Sequence, residues 1–471
     1  MTTSGSDRNC SGLPGFALPL TAFEEYLLRD GTPAAPMEFF FRLRLGETID
    51  RQLLEMAAAT ALRRHPVLQA RVLDHAAGPP AFSFHAVPTL RSMVVEAAAD
   101  CTPEPLNPLT DPLVRLTLSS SAPAAGSRAS STVLAQFHHV AADGLGAIAF
   151  LDDLLAIITQ LHRDVTAPLR LRPLDPSLLV QRGHYGLTPW RLLKILPDQA
   201  VGLAGIKQFF KNRPLGLTTT SPACDGTRPA LTAVSVSLSG PETNALRQAA
   251  TTAEVSVNEL AAAAIFSAIQ PLCATGRNAA TGAGPEVVRL CVPMNLRRAS
   301  DRKMPATNLC SMVFLDRTPD QIAAGPQPLL ASIHDEMGVI RRHGLGLTFL
   351  FSLHLGRLMP GGIRRVVADQ PAAATVLFTN IGRVFRRHRS DPATGTSLLT
   401  TIEGLAPLRR ETPLAILAIE HAGRLTFTFR YDERQLTAGQ IEATVTAFRQ
   451  ALDDVARVAS STAAASGGNR S

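Results

Sequence analysis

A strand that ends in two histidines and turns into a helix constrains this chain more than any other segment. The stretch Ser131–Ile157 reads STVLAQFHHVAADGLGAIAFLDDLLAI. Its apolar strand ends at Phe137, and from Leu145 apolar side chains recur at the spacing of one helix face. Between them lies His-His-x-x-x-Asp-Gly, from His138 to Gly144. This polar junction is therefore the first candidate for a functional site.

The order strand, short loop, helix occurs near the start of each half of the chain. Glu38–Leu45 has a strand pattern and is followed by a helical pattern over Asp50–Arg64. Val234–Leu238 alternates with serines before Ser239-Gly240-Pro241 opens another helix. The segment between these units is rich in Pro, Gly and Thr, which indicates a boundary. We predict a disordered arm over 1–15, an N-terminal domain over 16–211, a linker over 212–229, a C-terminal domain over 230–459 and a disordered tail over 460–471.

Strand and helix patterns are mixed along both halves, which predicts an α/β protein with two sandwich domains. The chain length of 471 residues agrees with two or three domains. Further strands are predicted at Leu113–Leu118, Thr132–Phe137, Val287–Val292, Met312–Leu315, Ala415–Ile419 and Leu425–Tyr431. Further helices are predicted at Leu145–Leu161, Val257–Ile269, Leu329–Arg342 and Ala438–Val458.

The His-His-x-x-x-Asp-Gly segment resembles the signature of the condensation-domain and chloramphenicol-acetyltransferase superfamily of acyltransferases. The resemblance is nearest to wax ester synthase/diacylglycerol acyltransferases and polyketide-associated acyltransferases, and the DFGWG motif of the plant branch is absent. It implies two chloramphenicol-acetyltransferase-like α/β sandwich domains that form a V-shaped pseudo-dimer with a channel between them. Other segments that resemble the family are Arg64-His65-Pro66, Asp111-Pro112-Leu113, Val257–Leu260, Val292–Arg297, Asn308, Thr379–Gly382 and Leu425–Asp432.

The resemblance implies that His139 is the catalytic base. An alcohol or amine must lose its proton as it attacks a thioester carbonyl, and histidine titrates near neutral pH. His138 is more suited to setting the strand geometry. The alternative for both histidines is a packed structural role.

The resemblance also implies that Asp143 holds the loop through an arginine. Arg297 is the favoured partner and Arg64 the second choice, while a helix N-cap without an arginine is the alternative. Gly144 permits a tight turn into the helix, where its N–H could stabilise an oxyanion. Asn308, Thr379 and Asn380 are expected to support the site.

Several segments keep a second interpretation. Gly144–Ala149 fits a dinucleotide-binding pattern with Asp164, although the glycines do not follow the strand directly. Trp190–Phe210 and Leu345–Leu358 are apolar segments flanked by basic residues. They predict either contact with an anionic lipid surface or ordinary packed helices.

Composition limits the function classes. A net charge of +7 is far too small for a dedicated nucleic-acid binder but suits anionic thioester donors. Six scattered cysteines without metal-ligand spacing indicate a reduced, cytoplasmic protein, peripheral to the inner membrane surface if it contacts lipid. We expect a monomeric acyltransferase without metal or cofactor, which uses acyl-CoA or an acyl carrier protein and an alcohol or lipid acceptor. The alternatives are an amide-forming condensation domain and an inactive docking member of the family.

Overall fold

The computed structural model describes residues 17–74, 78–84, 93–98, 101–121, 130–163, 169, 171–219, 228–274, 284–368, 374–388, 397–409 and 411–467. The predicted disordered arm and Asp164 lie outside these ranges. The protein has the predicted two-lobed α/β architecture, with one large mixed sheet in each lobe. Most predicted elements are present, and the helix Val257–Ile269 has the predicted bounds.

The first lobe is built on a five-stranded sheet in the order β13-β2-β7-β6-β5. Phenylalanines from neighbouring strands stack in its core, with the rings of Phe39 and Phe137 5.3 Å apart. Buried alanines on α2 bring that helix close to α3, which lies beside it. The bounds are β2 Glu38–Leu45, α2 Arg51–Leu62, β5 Val94–Glu96, β6 Val114–Ser121, β7 Ser130–His138, α3 Gly144–Arg163 and β13 Leu399–Leu405.

The second lobe has a sheet in the order β11-β10-β12-β14-β15-β9, with β8 paired to β10 as its seventh strand. Helices α6, α8 and α11 contact one another and contribute buried side chains to this lobe's core. Strands β10, β12 and β14 run parallel. The bounds are β8 Arg213–Pro214, β9 Ala233–Leu238, α5 Gly240–Thr252, α6 Val257–Ile269, β10 Glu286–Asn295, β11 Cys310–Arg317, α7 Pro319–Ala323, α8 Pro326–Arg342, β12 Val376–Arg383, β14 Leu414–His421, β15 Arg424–Tyr431 and α11 Ala438–Gly467.

Several smaller elements lie outside the two large sheets, and one group of them joins the two halves of the chain. A three-stranded sheet of β1 Ala17–Pro19, β4 Ala81–Ser83 and β3 Arg71–Leu73 lies in the first half. The remaining helices are α1 Ala22–Asp30, α4 Pro189–Lys211, α9 Thr348–Leu358 and α10 Gly362–Ala368. Helix α1 packs against α9 and α10, so the first and second halves of the chain share this small core.

One strand crosses between the lobes. β13, from the second half, pairs antiparallel with β2 of the first, with Leu399 opposite Leu45. A Cβ on Gly404 of β13 would lie 2.6 Å from the Leu417 side chain, so the absence of one permits the close approach to β14. The sequence patterns did not predict that β13 pairs with a strand of the first lobe.

The predicted domain boundaries stay predictions. The first residues of the 212–229 segment form β8, and 220–227 lie outside the described ranges. The last helix continues to Gly467, beyond the predicted end of the second domain at residue 459.

Helix α3 is long and apolar enough to cross a membrane over Gly144–His162, but half of that stretch is buried in the protein. It lies against α2 and contributes many side chains to the core of the first lobe. Its apolarity is therefore explained by packing.

Candidate active site

A cavity of about 1150 Å³, counting the space at its mouth, opens beside the His-His-x-x-x-Asp-Gly loop. Residues from both lobes line it, including His139 and Gly144 from the first and Thr379 from the second. The walls are mostly apolar, from side chains such as Phe39 and Met294. An apolar cavity with a few convergent polar groups is the usual form of a small-molecule site.

His139 lies in the turn after β7, and its backbone is held from two sides. Its N–H donates to the Met37 carbonyl at 2.8 Å, which extends the β2–β7 pairing by one bond. The Asn308 amide donates to the His139 and Val140 carbonyls, both at 2.9 Å. The Phe39 ring meets the imidazole edge-on at a centroid distance of 5.1 Å. These contacts fix the ring in the cavity wall.

Burial keeps the His139 imidazole neutral. Burial lowers its pKa, and its own backbone, the Asp143 charge and Asn308 oppose this only in part. Among the described residues, Nδ1 has no hydrogen-bond partner. A neutral imidazole in a cavity wall can accept a proton from a bound hydroxyl or amine.

His138 lies behind the loop and away from the cavity. It is 5% exposed, and its Nδ1 accepts a hydrogen bond from the Val140 N–H at 3.2 Å. Burial, with a smaller effect of His139, lowers its pKa to about 3. The contact shapes the loop, as expected for a residue that sets strand geometry.

The low pKa of His138 predicts acid sensitivity. In the unfolded chain His138 binds a proton near pH 6.5, whereas in the folded protein it stays neutral down to about pH 3. The stability that His138 contributes above pH 6.5 is therefore lost on acidification. Between pH 7.5 and 5.5, urea titration should show a loss of about 1.4 kcal/mol in the free energy of unfolding from this residue.

The matched comparison uses two asparagine variants. His138→Asn should reduce the pH slope, because asparagine can still accept the Val140 hydrogen bond but does not titrate. His162→Asn, which removes a surface histidine paired with Glu47, is the control for the loss of a histidine outside the loop. An unchanged slope in His138→Asn would contradict the assignment.

Asp143 is saturated with hydrogen bonds. Its carboxylate accepts two bonds from Arg297, both at 2.8 Å, and one each from the Gly146 and Leu309 N–H groups, also at 2.8 Å. Burial raises its pKa, but the Arg297 charge and these bonds outweigh burial and hold the pKa below its usual value. Arg64, the second-choice partner, instead bonds Asp153 at 2.7 Å.

This network ties three segments together. Arg297 follows β10, Leu309 precedes β11, and Gly146 is in the first turn of α3. Because all four acceptor positions of Asp143 are occupied, the residue is suited to holding the loop and not to moving a proton. Arg297 also donates to the Thr307 carbonyl at 2.9 Å, which brings the 307–309 segment under the His139 loop.

The two glycines at the start of α3 are close to the second lobe. A Cβ on Gly144 would lie 2.3 Å from the Ile381 side chain, and one on Gly146 would lie 2.7 Å from the Thr307 carbonyl oxygen. Gly144 and Leu145 line the cavity at a helix N-terminus, where N–H groups lack intrahelical acceptors. The segment His139–Asp143 separates these glycines from β7, unlike the arrangement of a dinucleotide-binding turn.

Thr379 and Asn380 lie on β12 and also line the cavity. The Asn380 side chain accepts from the Gly382 N–H at 2.8 Å and donates to Asn258 at 2.6 Å. The register of β12 and β14 shifts between Asn380 and Gly382. Asn380 thus fixes an irregular strand beside the cavity.

His65 supports the site from below, a role that was not predicted. Its Nδ1 accepts the Ala306 N–H at 2.9 Å, so the proton must be on Nε2, which faces Asp153 at 3.3 Å. Ala306 leads directly into the segment that holds Asp143 and His139. The Arg-His-Pro pattern marked this histidine but not its partners.

Comparisons with known proteins give the fold. No family model matches the chain, and no curated protein sequence matches it. Solved structures match over almost the whole chain. Trichothecene 15-O-acetyltransferase from Fusarium sporotrichioides is 15% identical with a TM-score of 0.63, covering 97% of this chain and 96% of that one.

Two domains of synthetases are similar to the same degree. A variant of the starter condensation domain of rhizomide synthetase, in complex with C8-CoA, is 16% identical with a TM-score of 0.65, covering 96% of this chain and 97% of that one. The epimerization domain from the third module of tyrocidine synthetase B is 15% identical with a TM-score of 0.64, covering 94% and 97%. The predicted condensation-domain and acetyltransferase fold is confirmed. The nearness to wax ester synthases stays a prediction.

Proposed function

We propose that this protein is an acyltransferase that moves an acyl group from a thioester to a hydroxyl acceptor, with His139 as the general base. The donor is acyl-CoA or an acyl group on a phosphopantetheine carrier. One observation carries the proposal: a neutral imidazole is held in the wall of a mostly apolar cavity by a loop whose aspartate has all its acceptor positions hydrogen-bonded.

The chemistry follows from that placement. The acceptor O–H gives its proton to the imidazole as the oxygen forms a bond to the thioester carbonyl carbon. The N–H groups of Gly144 and Leu145, at the positive end of α3, are suited to stabilising the resulting oxyanion. When the intermediate collapses, the C–S bond breaks and the imidazolium returns the proton to the leaving thiolate.

The names of the similar structures agree with this reaction class. One is an O-acetyltransferase, and another was determined with an acyl-CoA bound. We favour ester formation because the cavity wall is largely apolar, which suits an alcohol acceptor. Amide formation would use the same base, and a comparison of alcohol and amine acceptors distinguishes the two reactions.

We further propose that the substrates are lipid-like and that the protein contacts an anionic membrane surface. The packed faces of α4 and α9 account for only part of their apolar residues. Exposed basic side chains, including Lys194 and Arg364, occur on or beside these helices and suit anionic headgroups. On or next to α4 and α9, the exposed apolar side chains include Trp190, Leu193, Phe210, Leu355, Leu358 and Met359.

The test compares palmitoyl-CoA with acetyl-CoA, using a fatty alcohol as the acceptor. Palmitoyl-CoA should give a kcat/KM at least about tenfold higher, because each buried methylene contributes about 0.8 kcal/mol. Product is identified as an ester by mass spectrometry, and a fatty amine is offered in parallel. Amide formed in preference to ester would support the condensation alternative, and no product from any donor would leave a docking role.

Membrane contact is tested separately with liposomes of anionic lipid. Leu358→Asp should weaken sedimentation with them, since Leu358 is 83% exposed at the end of α9. Leu109→Asp is the matched control, because Leu109 is also exposed but lies in the first lobe. A preference for acetyl-CoA together with no binding to liposomes would contradict the lipid hypothesis and leave the His139 mechanism standing.

A further inference from the structure

A charged pair lies in the same cavity as His139, and the proposed reaction does not use it. Asp30 ends α1, and Arg409 lies in the connection between β13 and β14. Both line the cavity, and the Arg409 guanidinium donates from Nη2 to the Asp30 carboxylate. The Arg409 side chain is 22% exposed and the Asp30 side chain 5%. Charges placed in an apolar wall are costly unless they are paired, so their position calls for an explanation.

Strand register places this pair far from the reacting end of the cavity. Cys291, which is near enough to Arg409 to feel its charge, lies opposite Leu377 in the parallel β10–β12 pair. Ile381, which touches the start of α3 at Gly144, is four residues further along β12. Four residues of a strand span roughly 13 Å. The charged pair and the start of α3 thus lie beside different parts of β12, whose residues Leu377 and Ile381 are roughly 13 Å apart.

The guanidinium keeps donors for a ligand. Nη2 is the only side-chain nitrogen of Arg409 with a hydrogen-bond partner among the described residues. The backbone of Arg409 is fixed by two hydrogen bonds with Thr412, and the Thr412 hydroxyl is bound to the Ala374 carbonyl. The remaining donors are thus held at a fixed place in the cavity wall, and the Asp30 carboxylate next to them can accept a hydrogen bond.

Such a pair suits a group that can both accept and donate a hydrogen bond. A hydroxyl can accept from Arg409 and donate to Asp30, while a carboxylate would be repelled by Asp30 and a methyl end would leave the polar groups unmatched. We infer that Asp30 and Arg409 form a recognition site for a hydroxyl on the substrate chain, away from the reacting atom. This inference rests on the proposed acyl transfer and names its substrate class more closely.

The experiment uses matched substrates of suitable length. An extended chain covers about 1.2 Å per bond, so ten carbons are about as long as the β12 segment between Leu377 and Ile381. Decanoyl-CoA, 10-hydroxydecanoyl-CoA and the CoA monothioester of decanedioic acid are compared as donors with 1-decanol. 1-Decanol and 1,10-decanediol are compared as acceptors with decanoyl-CoA, after correction for the two equivalent ends of the diol. In one of the two series the hydroxylated chain should be preferred by about tenfold in kcat/KM, as expected for a hydrogen bond to a charged group.

Variants locate the preference. Arg409→Met and Asp30→Asn should each reduce it below about twofold while decanoyl transfer to 1-decanol continues. Arg42→Met is the matched control, because Arg42 also forms an ion pair, with Glu403, but does not line the cavity. Thermal melting confirms that each variant is folded, and the wild-type comparison stands even if one variant is not.

The outcomes are distinct. No preference for the hydroxyl in either series, a preference for the carboxylate, or a preference that persists in both folded variants would overturn the inference and leave the ion pair as a structural tie between α1 and the β13–β14 connection. If no acyl transfer occurs with any substrate, the proposed function itself is wrong.

Discussion

Replacing His139 with alanine is expected to lower kcat by about 10²–10⁴. The imidazole lines the cavity and is neutral, so it can take the acceptor proton, whereas the Asp143 carboxylate on the same loop is fully hydrogen-bonded. The measurement is thiol release from acyl-CoA at saturating acceptor, with ester formation followed in parallel.

Two controls separate lost chemistry from lost structure. The backbone of residue 139 is held through its N–H and carbonyl, which alanine retains, so the melting temperature should change little. His162→Ala removes an exposed histidine and should keep wild-type kcat. A folded His139→Ala protein with wild-type kcat would exclude His139 as the base.

The pH dependence of activity adds an independent check. Because burial lowers the pKa of His139, the base stays unprotonated below the pH at which an exposed histidine would titrate. The plateau of kcat/KM, which reports ionisation of the free enzyme, should therefore extend below pH 6.5 before it falls. A fall centred above pH 6.5 would indicate a different ionisation.

Local patterns predicted most of the elements because each reports which face of a segment is buried. The thirteen residues of α6 begin at a serine cap and are almost all apolar, so both bounds could be placed. Patterns do not report partners. Leu399–Leu405 pairs with β2, a strand near the opposite end of the sequence. No local feature distinguishes that pairing from one within the second lobe.

The candidate site shows the same difference between residues that a local pattern reveals and partners that only the fold reveals. The motif located His139 and Asp143, and the family pattern suggested Arg297, which the structure places against Asp143. His65 was visible in sequence only as part of a pattern, since its role depends on Ala306, 241 residues away. Asp30 and Arg409 are 379 residues apart and neither belongs to a motif. Only the folded chain brings them into the cavity.

Asp143→Asn is expected to lower both stability and activity. The amide keeps the shape of the carboxylate but loses its charge, which leaves the largely buried Arg297 guanidinium without its counterion. Breaking a buried pair in this way typically costs about 3–5 kcal/mol. Activity should fall because Asp143 joins α3 to the 307–309 segment, and Asn308 of that segment holds the His139 carbonyl.

A double-mutant cycle tests whether the pair acts as a unit. Arg297→Ala should cause damage similar to Asp143→Asn, and the double variant should be little worse than either one, since both remove the same interaction. The free energy of unfolding and kcat are measured for all four proteins. Arg302→Ala, an exposed neighbour, should change neither.

The second-choice arginine supplies the counter-test. Arg64 bonds Asp153 at 2.7 Å, so Arg64→Ala and Asp143→Asn remove separate interactions and their effects should add. If the Asp143 and Arg297 substitutions had additive effects while those of Asp143 and Arg64 were coupled, Arg297 would not be the partner of Asp143. Coupling to Arg297 alone, in both stability and kcat, would mean that one ion pair between the lobes holds the catalytic loop, and that the histidine is only as well placed as this pair is intact.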